Sequence, residues 1–194
     1  MRRSETRFLT THAGSLPRPK ELVEMLVRES RREEVDTAAF DDAVERSTRH
    51  VVARQLEVGI DVGNNGEQPR ESFFTYVQHR MSGFGGTSQR PIMKDILHYP
   101  SFLELKLPDF TRTMVSLVNV PSAVGEVRYV DPRLVEKECA DYRRILDDQE
   151  SRFVESFMTA ASPGIVASAM ANAYYDSYES YVLALADALK PEYE

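Results

Sequence analysis

Cysteine occurs once in the 194 residues, at position 139, which excludes an intramolecular disulfide and any thiolate cluster built by this chain alone. Histidine occurs four times, at 12, 50, 79 and 98, too scattered for the compact Cys/His spacing of zinc sites. No stretch approaches the roughly eighteen consecutive apolar residues that a membrane span needs. Positive charge is not in excess either. Lys and Arg number 24 against 31 Asp and Glu, and the net charge of −7 would repel the phosphates of a nucleic acid. The small cluster Arg2, Arg3 and Arg7 has no interleaved aromatics and reads as a solvated tail. The basic start Met-Arg-Arg-Ser-Glu-Thr-Arg lacks an apolar run behind it, so no signal peptide is expected and a cytoplasmic location is. Internal repeats and low-complexity tracts are lacking too.

What remains has the make-up of a folded chain: 42% hydrophobic and 28% charged residues, read as one domain over 1–194. Phe8–Thr11 reads as a first strand ending at Ala-Gly-Ser. Pro17 and Pro19 delay a helix until Lys20, after which Leu22, Val23, Leu26 and Val27 recur at helical spacing. Asp36 and Thr37 can cap a longer helix running to Glu57, with Phe40, Val44, Val51 and Leu56 on its apolar side and Gly59 as its stop. Ile60–Val62 predicts a second strand, with Gly63–Gly66 as the loop at its end. Pro69 suits the first turn of a helix over Glu71–Met81. Ser82–Ser88 reads as a flexible glycine-rich loop, and 82–122 as an irregular insertion carrying short strands in a hairpin.

Val124–Val130 is the third strand candidate, followed by a helix opened by Asp131-Pro132 and running through Asp147. Phe153–Ala160 is the fourth candidate, followed by a loop at Ala161–Gly164. Ser177 can cap a last helix with Tyr181, Leu185 and Leu189 on its apolar face. Strands alternating with helices at this spacing predict an α/β fold with parallel strands. With four units where a closed barrel has about eight, the expectation is a partial, half TIM-type (β/α)8 barrel.

Polar residues at the C-terminal ends of such strands are where barrels keep their sites. In Thr10–Ser15, His12 is open to three readings: a ligand, a proton carrier, or a structural histidine satisfied by backbone. Gly14 lets backbone approach a ligand, and the Ser15 hydroxyl can donate or accept, which together suit a carboxylate. Glu67 lies between Gly66 and Pro69 at the end of a buried strand, where it can pair with a substrate ammonium or with Arg70 as a salt bridge. Asn64 and Asn65 suit a tight turn. Arg70 and Arg90 could face an anionic ligand, with surface solvation the plainer use of Arg90. Tyr174 and Tyr175 could flank a flat ring or simply pack. Cys139, among charged helical residues, reads as an ordinary, partly buried thiol.

Taken in order, these blocks resemble the cobalamin-independent methionine synthase family. They are Thr10-Thr-His-Ala-Gly-Ser-Leu-Pro, Gly66-Glu-Gln-Pro-Arg, Ser82-Gly-Phe, Val127-Arg-Tyr-Val-Asp-Pro, Met158-Thr-Ala-Ala-Ser-Pro-Gly and the segment from Tyr178 to Leu189. The likeness is to the N-terminal half of the short, single-barrel members. It implies methyl transfer from a methylated folate, or in some forms a corrinoid, to the thiol of homocysteine or a similar thiol. A zinc ion would turn that thiol into a nucleophile. The resemblance places Ala13, Gly14, Ser15, Glu67 and Arg70 on the amino-acid side and Ser88 and Arg90 on the folate side. The family's zinc ligands, a His-x-Cys pair, a later Glu and a last Cys, have no counterpart here. No catalytic residue and no metal site are therefore assigned to this chain, and zinc is expected only in the complete enzyme. A second polypeptide, or self-association, is expected to close the barrel and cover its sheet edges. The competing expectations are a non-catalytic half-barrel or ligand-binding homodimer, and a metal-free decarboxylase-like barrel related to uroporphyrinogen decarboxylase. The Thr-His-Ala-Gly-Ser and Gly-Glu-Gln-Pro-Arg blocks fit that last one less well.

Overall fold

The computed structural model describes residues 3–31, 33–88, 98–102, 104–106 and 120–193. Its elements run α1 (Lys20–Ser30), α2 (Thr37–Glu57), β1 (Val62–Gly63), a 3-10 turn (Thr75–His79), β2 (Met81–Gly85), β3 (Ser122–Tyr129), α3 (Arg133–Asp147), β4 (Glu155–Ser156), α4 (Pro163–Ala169) and α5 (Tyr178–Tyr193).

A short parallel row lies at the centre. Thr11 bridges Val62, and β1 pairs with β4 in the register Val62 to Glu155 and Gly63 to Ser156. The parallel α/β pattern expected from the sequence is present, although the strands are far shorter than the apolar runs suggested. β1 has two residues, the first strand is a single bridge at Thr11, and β4 keeps only the middle of the expected Phe153–Ala160. Gly63 allows the row to close. A Cβ there would fall 2.2 Å from the Phe153 ring.

α2 packs on both α1 and α3. Its N-terminus is fixed as predicted, for the Asp36 carboxylate accepts from the backbone N–H groups of Ala38 and Ala39. Leu22 and Leu26 of α1 bury against Ala43, Phe40 and Val44 of α2. Val52 of α2 meets Tyr142 and Ile145 of α3, with Phe153 and Met158 alongside. A third cluster joins Met81, Ala123 and Val127 of the β2–β3 pair to Val166 of α4, Met170 just after it, and Tyr181, Leu185 and Leu189 of α5.

Several local expectations are corrected. The helix predicted over Glu71–Met81 is only a 3-10 turn, because Thr75, Tyr76 and Val77 are all buried in succession, and a one-faced helix cannot bury three adjacent positions. The glycine-rich stretch from Ser82 is not a flexible loop, since Met81–Gly85 forms β2. Its glycines serve close approach: Gly83 has φ +90°, and a Cβ on it would lie 2.5 Å from the Glu126 carbonyl oxygen, beside a register shift between Ser82 and Phe84. The third strand candidate does not pair with β1 or β4, and the parallel contact of its strand is a bridge from Ala123 to Asn172. β3 pairs antiparallel with β2, so the two strands form the arms of the insertion. The short strands expected within the insertion fall largely outside the described residues. Pro163–Ala169, with no helix expected, forms α4, capped by the Ser162 hydroxyl accepting from Ile165 N–H. At α5 the Ser177 hydroxyl accepts from Ser180 N–H at 3.0 Å, as the sequence predicts.

Candidate functional site

Beyond the C-terminal ends of the parallel row come three loops, 12–16, 64–70 and 157–162. The second is a dense turn held by its own asparagines. Asn64 Oδ1 accepts from Gly66 N–H at 2.8 Å and Asn65 Oδ1 from Glu67 N–H at 3.0 Å, side-chain turns of the kind asparagine favours. Asn64 Nδ2 also donates to the His12 carbonyl at 2.6 Å, and Leu16 N–H donates to the Gly66 carbonyl at 3.0 Å, which ties the first loop to the second. Gln68, fully buried, donates to the Leu16 and Gly66 carbonyls and accepts from the Ser47 hydroxyl of α2.

This turn delivers Glu67. Its φ of +55° makes it the one non-glycine residue at positive φ among those described, a left-handed conformation that costs about 1–2 kcal/mol outside glycine. The side chain is buried, at 2% exposure. Oε2 accepts from the Ser15 hydroxyl at 2.6 Å and Oε1 from the Thr159 hydroxyl at 3.0 Å. Among the described residues Glu67 makes no ion pair. Two hydroxyl bonds leave lone pairs of the carboxylate unused, and a cationic donor would complete them.

Arg70 is not the partner of Glu67. Its Nε donates to both oxygens of Glu138 on α3, at 2.9 and 3.1 Å, and its Nη1 donates to the Thr159 carbonyl and hydroxyl at 2.8 and 3.0 Å. Both members of this ion pair are buried, at 3% and 4% side-chain exposure. The guanidinium is thus occupied by protein groups, and the sequence alternative of a Glu67–Arg70 salt bridge is replaced by Arg70–Glu138. Thr159 stands between the two charged groups. It accepts from Arg70 and donates to Glu67, which fixes the direction of its hydroxyl.

Two contributors were not legible beforehand. Thr159 lay inside a block quoted only for family likeness. Arg18 was passed over beside two prolines, yet its guanidinium donates to the backbone carbonyls of Glu67 (2.5 Å), Gln68 (3.2 Å) and Arg70 (2.9 Å). Burial lowers the Arg18 pKa, while the charges of Glu67 and Glu71 oppose that shift.

The other predicted residues fall as follows. Ala13 and Gly14 are exposed at the loop surface, and Gly14, at φ +91°, has open space where a side chain would begin. The His12 ring lies 3.0 Å from the Gly14 carbonyl, so its contact is with its own loop. Ser88 N–H donates to the Val120 carbonyl at 2.6 Å, at the foot of the insertion. Arg90 lies outside the described residues. Cys139 is exposed on α3, since it faces away from the Val52–Ile145 cluster. Tyr175 stacks on Tyr181 at 5.5 Å and its hydroxyl accepts from Val127 N–H, so this ring is committed to packing. No group of three or more described His, Cys, Asp or Glu side chains is placed to hold a metal ion. No helix among the described residues is long and apolar enough to cross a membrane.

Parallel strands whose C-terminal loops converge on a buried carboxylate define an α/β barrel-type chain with its candidate site at the strand ends. The family model for the catalytic domain of cobalamin-independent synthase matches residues 8–97. A methionine synthase from Sulfolobus acidocaldarius is 29% identical over 128 residues, 66% of this chain and 32% of that protein. A B12-independent methionine synthase from Shewanella sp. W3-18-1, solved in complex with selenomethionine, superposes with a TM-score of 0.65 at 21% identity. A Listeria monocytogenes structure described as a vitamin-B12-independent methionine synthase gives 0.60 at 17%. Each of these two alignments covers 95% of this chain and 46% of the other, and both speak to the fold. The chain is thus similar to the cobalamin-independent methionine synthases, most directly over residues 8–97. It spans about a third of the curated relative's length and under half of either solved chain.

Proposed function

We propose that this chain supplies the amino-acid-binding half of a methyltransferase site, in which a methyl group passes from a methylated folate or a corrinoid to the thiol of homocysteine or a similar acceptor. The observation that supports this reading is the buried Glu67 carboxylate, bonded by the Ser15 and Thr159 hydroxyls and without an ion-pair partner among the described residues. In this reading Glu67 holds the substrate ammonium. The backbone of Ala13 and Gly14, with the Ser15 hydroxyl, receives its carboxylate. Arg70 acts indirectly, by orienting Thr159. Ser88 and Arg90 belong to the folate side, and the protein works in the cytoplasm.

Zinc, which the family implies, does not fit the described residues. His12 is turned onto the Gly14 carbonyl, Cys139 stands on the surface of α3, and no third donor joins either. The chain's own share of the reaction is therefore to bind and orient the amino acid. A second polypeptide carrying the metal ligands completes the site and pairs with the open edges of the parallel row. Zinc content per purified chain, after dialysis without chelator, tests this. Strongly substoichiometric zinc, with restoration of methyl transfer by a zinc-bearing partner, is the expected result. Near-stoichiometric zinc overturns it, as does a stable metal-free homodimer that takes up no amino acid.

A further inference from the structure

A closed ring of hydrogen bonds runs through Glu67. Its N–H donates to Asn65 Oδ1 at 3.0 Å, and Asn65 Nδ2 donates to Glu138 Oε1 at 2.7 Å. Arg70 Nε donates to the same Glu138 carboxylate, Arg70 Nη1 donates to the Thr159 hydroxyl, and that hydroxyl donates back to Glu67 Oε1. Glu138 enters the ring from a helix, α3, and the other members from the loops 64–70 and 157–162. We infer that Glu138 is a specificity-determining positioning residue, which holds Arg70 off Glu67 and so keeps that carboxylate free for an ammonium group, an assignment that rests on Glu67 being the ammonium-binding group.

Distance makes Arg70 a rival for Glu67. Its Nη1 is at most about 6 Å from Glu67 Oε1, since each stands 3.0 Å from the Thr159 hydroxyl oxygen. Opposite charges that close and that buried attract strongly, and a guanidinium on Glu67 would take the place an ammonium needs. Glu138 prevents this by accepting Arg70 Nε on both oxygens, at 2.9 and 3.1 Å, a charge-assisted contact. The other guanidinium facing Glu67, that of Arg18, is held on the backbone carbonyls of Glu67, Gln68 and Arg70. The buried Arg70–Glu138 pair is neutral as a unit, so the negative charge of Glu67 is left for a ligand.

Glu138 also sets the direction of the bonds that reach Glu67. A guanidinium can only donate, so the Thr159 hydroxyl accepts from Arg70 and must spend its own proton on Glu67. A carboxylate can only accept, so Asn65 turns its NH2 to Glu138 and its oxygen to Glu67 N–H. One carboxylate on α3 thus orients both the side chain and the left-handed backbone of Glu67.

The test compares L-methionine with its des-amino analogue, 4-(methylthio)butanoate, by isothermal titration of the full chain. The parent is expected to prefer L-methionine by at least about tenfold, the worth of a buried carboxylate–ammonium contact. Glu138→Gln keeps the shape but frees Arg70 for Glu67, and the preference is expected to fall below about twofold. Adding Arg70→Gln removes the rival cation and is expected to recover most of the preference, which a loss of packing alone would not allow. Should Glu138→Gln fail to fold, the neutral pair Arg70→Gln/Glu138→Gln decides: an ammonium preference of at least about threefold supports the assignment, and none overturns it. Undiminished preference in folded Glu138→Gln, or no recovery in the double variant, overturns it while leaving the Glu67 reading intact. A parent that does not prefer L-methionine overturns both.

Discussion

The Ser15 hydroxyl donates a 2.6 Å hydrogen bond to Oε2 of Glu67, joining the loop after the first strand to the loop after the second across 52 positions of sequence. Thr159 does the same for Oε1 from the loop after β4. Two loops thus converge on the carboxylate carried by a third, each through one short hydroxyl side chain.

Thr159→Val is expected to weaken binding of L-methionine about fivefold, because one hydroxyl donor to Glu67 and one acceptor for Arg70 are lost together. Thr159→Ser keeps the hydroxyl and is expected to bind as the parent does. Isothermal titration of the two variants checks this. Equal loss in both would assign Thr159 to packing instead.

Glu138→Ala leaves the Arg70 guanidinium buried without its carboxylate and removes the acceptor at 2.7 Å from Asn65 Nδ2. Such a break costs about 3–5 kcal/mol. Urea unfolding followed by circular dichroism measures it, and a loss below about 1 kcal/mol would mean that water reaches the pair.

Gly63→Ala is expected to destabilise the chain by about 1–3 kcal/mol, since the new methyl group must displace the Phe153 ring. Phe153→Leu in the same chain should recover part of that loss. A double-mutant cycle by urea unfolding exposes the coupling, and strict additivity would place the clash elsewhere.

Asp61 anchors the first strand. It accepts from the Arg7 guanidinium and from Thr10 through both N–H (2.8 Å) and hydroxyl (3.1 Å). The Arg7 guanidinium, followed by the Thr10 N–H, holds its carboxyl below the usual carboxylate range. Because the folded pKa is below the unfolded value of about 3.9, the stability it contributes is present above about pH 4 and fades as pH falls through the folded value. The stability difference between the parent and Asp61→Asn should therefore shrink from about pH 6 to about pH 3 in urea titrations. A pH-independent difference would contradict this.

What could be read in the sequence was local. The Asp36 cap and the extent of α2 follow from neighbouring residues, and so do the Ser177 cap and the stripe Tyr181, Leu185 and Leu189. The glycines of Ser82–Gly86 misled because their use is set by β3, about forty positions away, where Gly83 must clear the Glu126 carbonyl. The candidate site divides in the same way. The loop of Glu67 was legible from its Gly, Asn and Pro residues. The pairing of Arg70 with Glu138 rather than Glu67 was not, because it depends on how α3 packs against that loop 68 positions later.

The central claim is that this chain holds an amino acid through Glu67 without needing a metal. Isothermal titration of metal-free chain with L-methionine tests it most directly, comparing the parent with Glu67→Gln. The account predicts measurable binding in the parent, weakened at least about tenfold in the variant, as expected when a carboxylate–ammonium contact in a buried site is lost. Binding that appears only with zinc, or that is the same in both proteins, would contradict it.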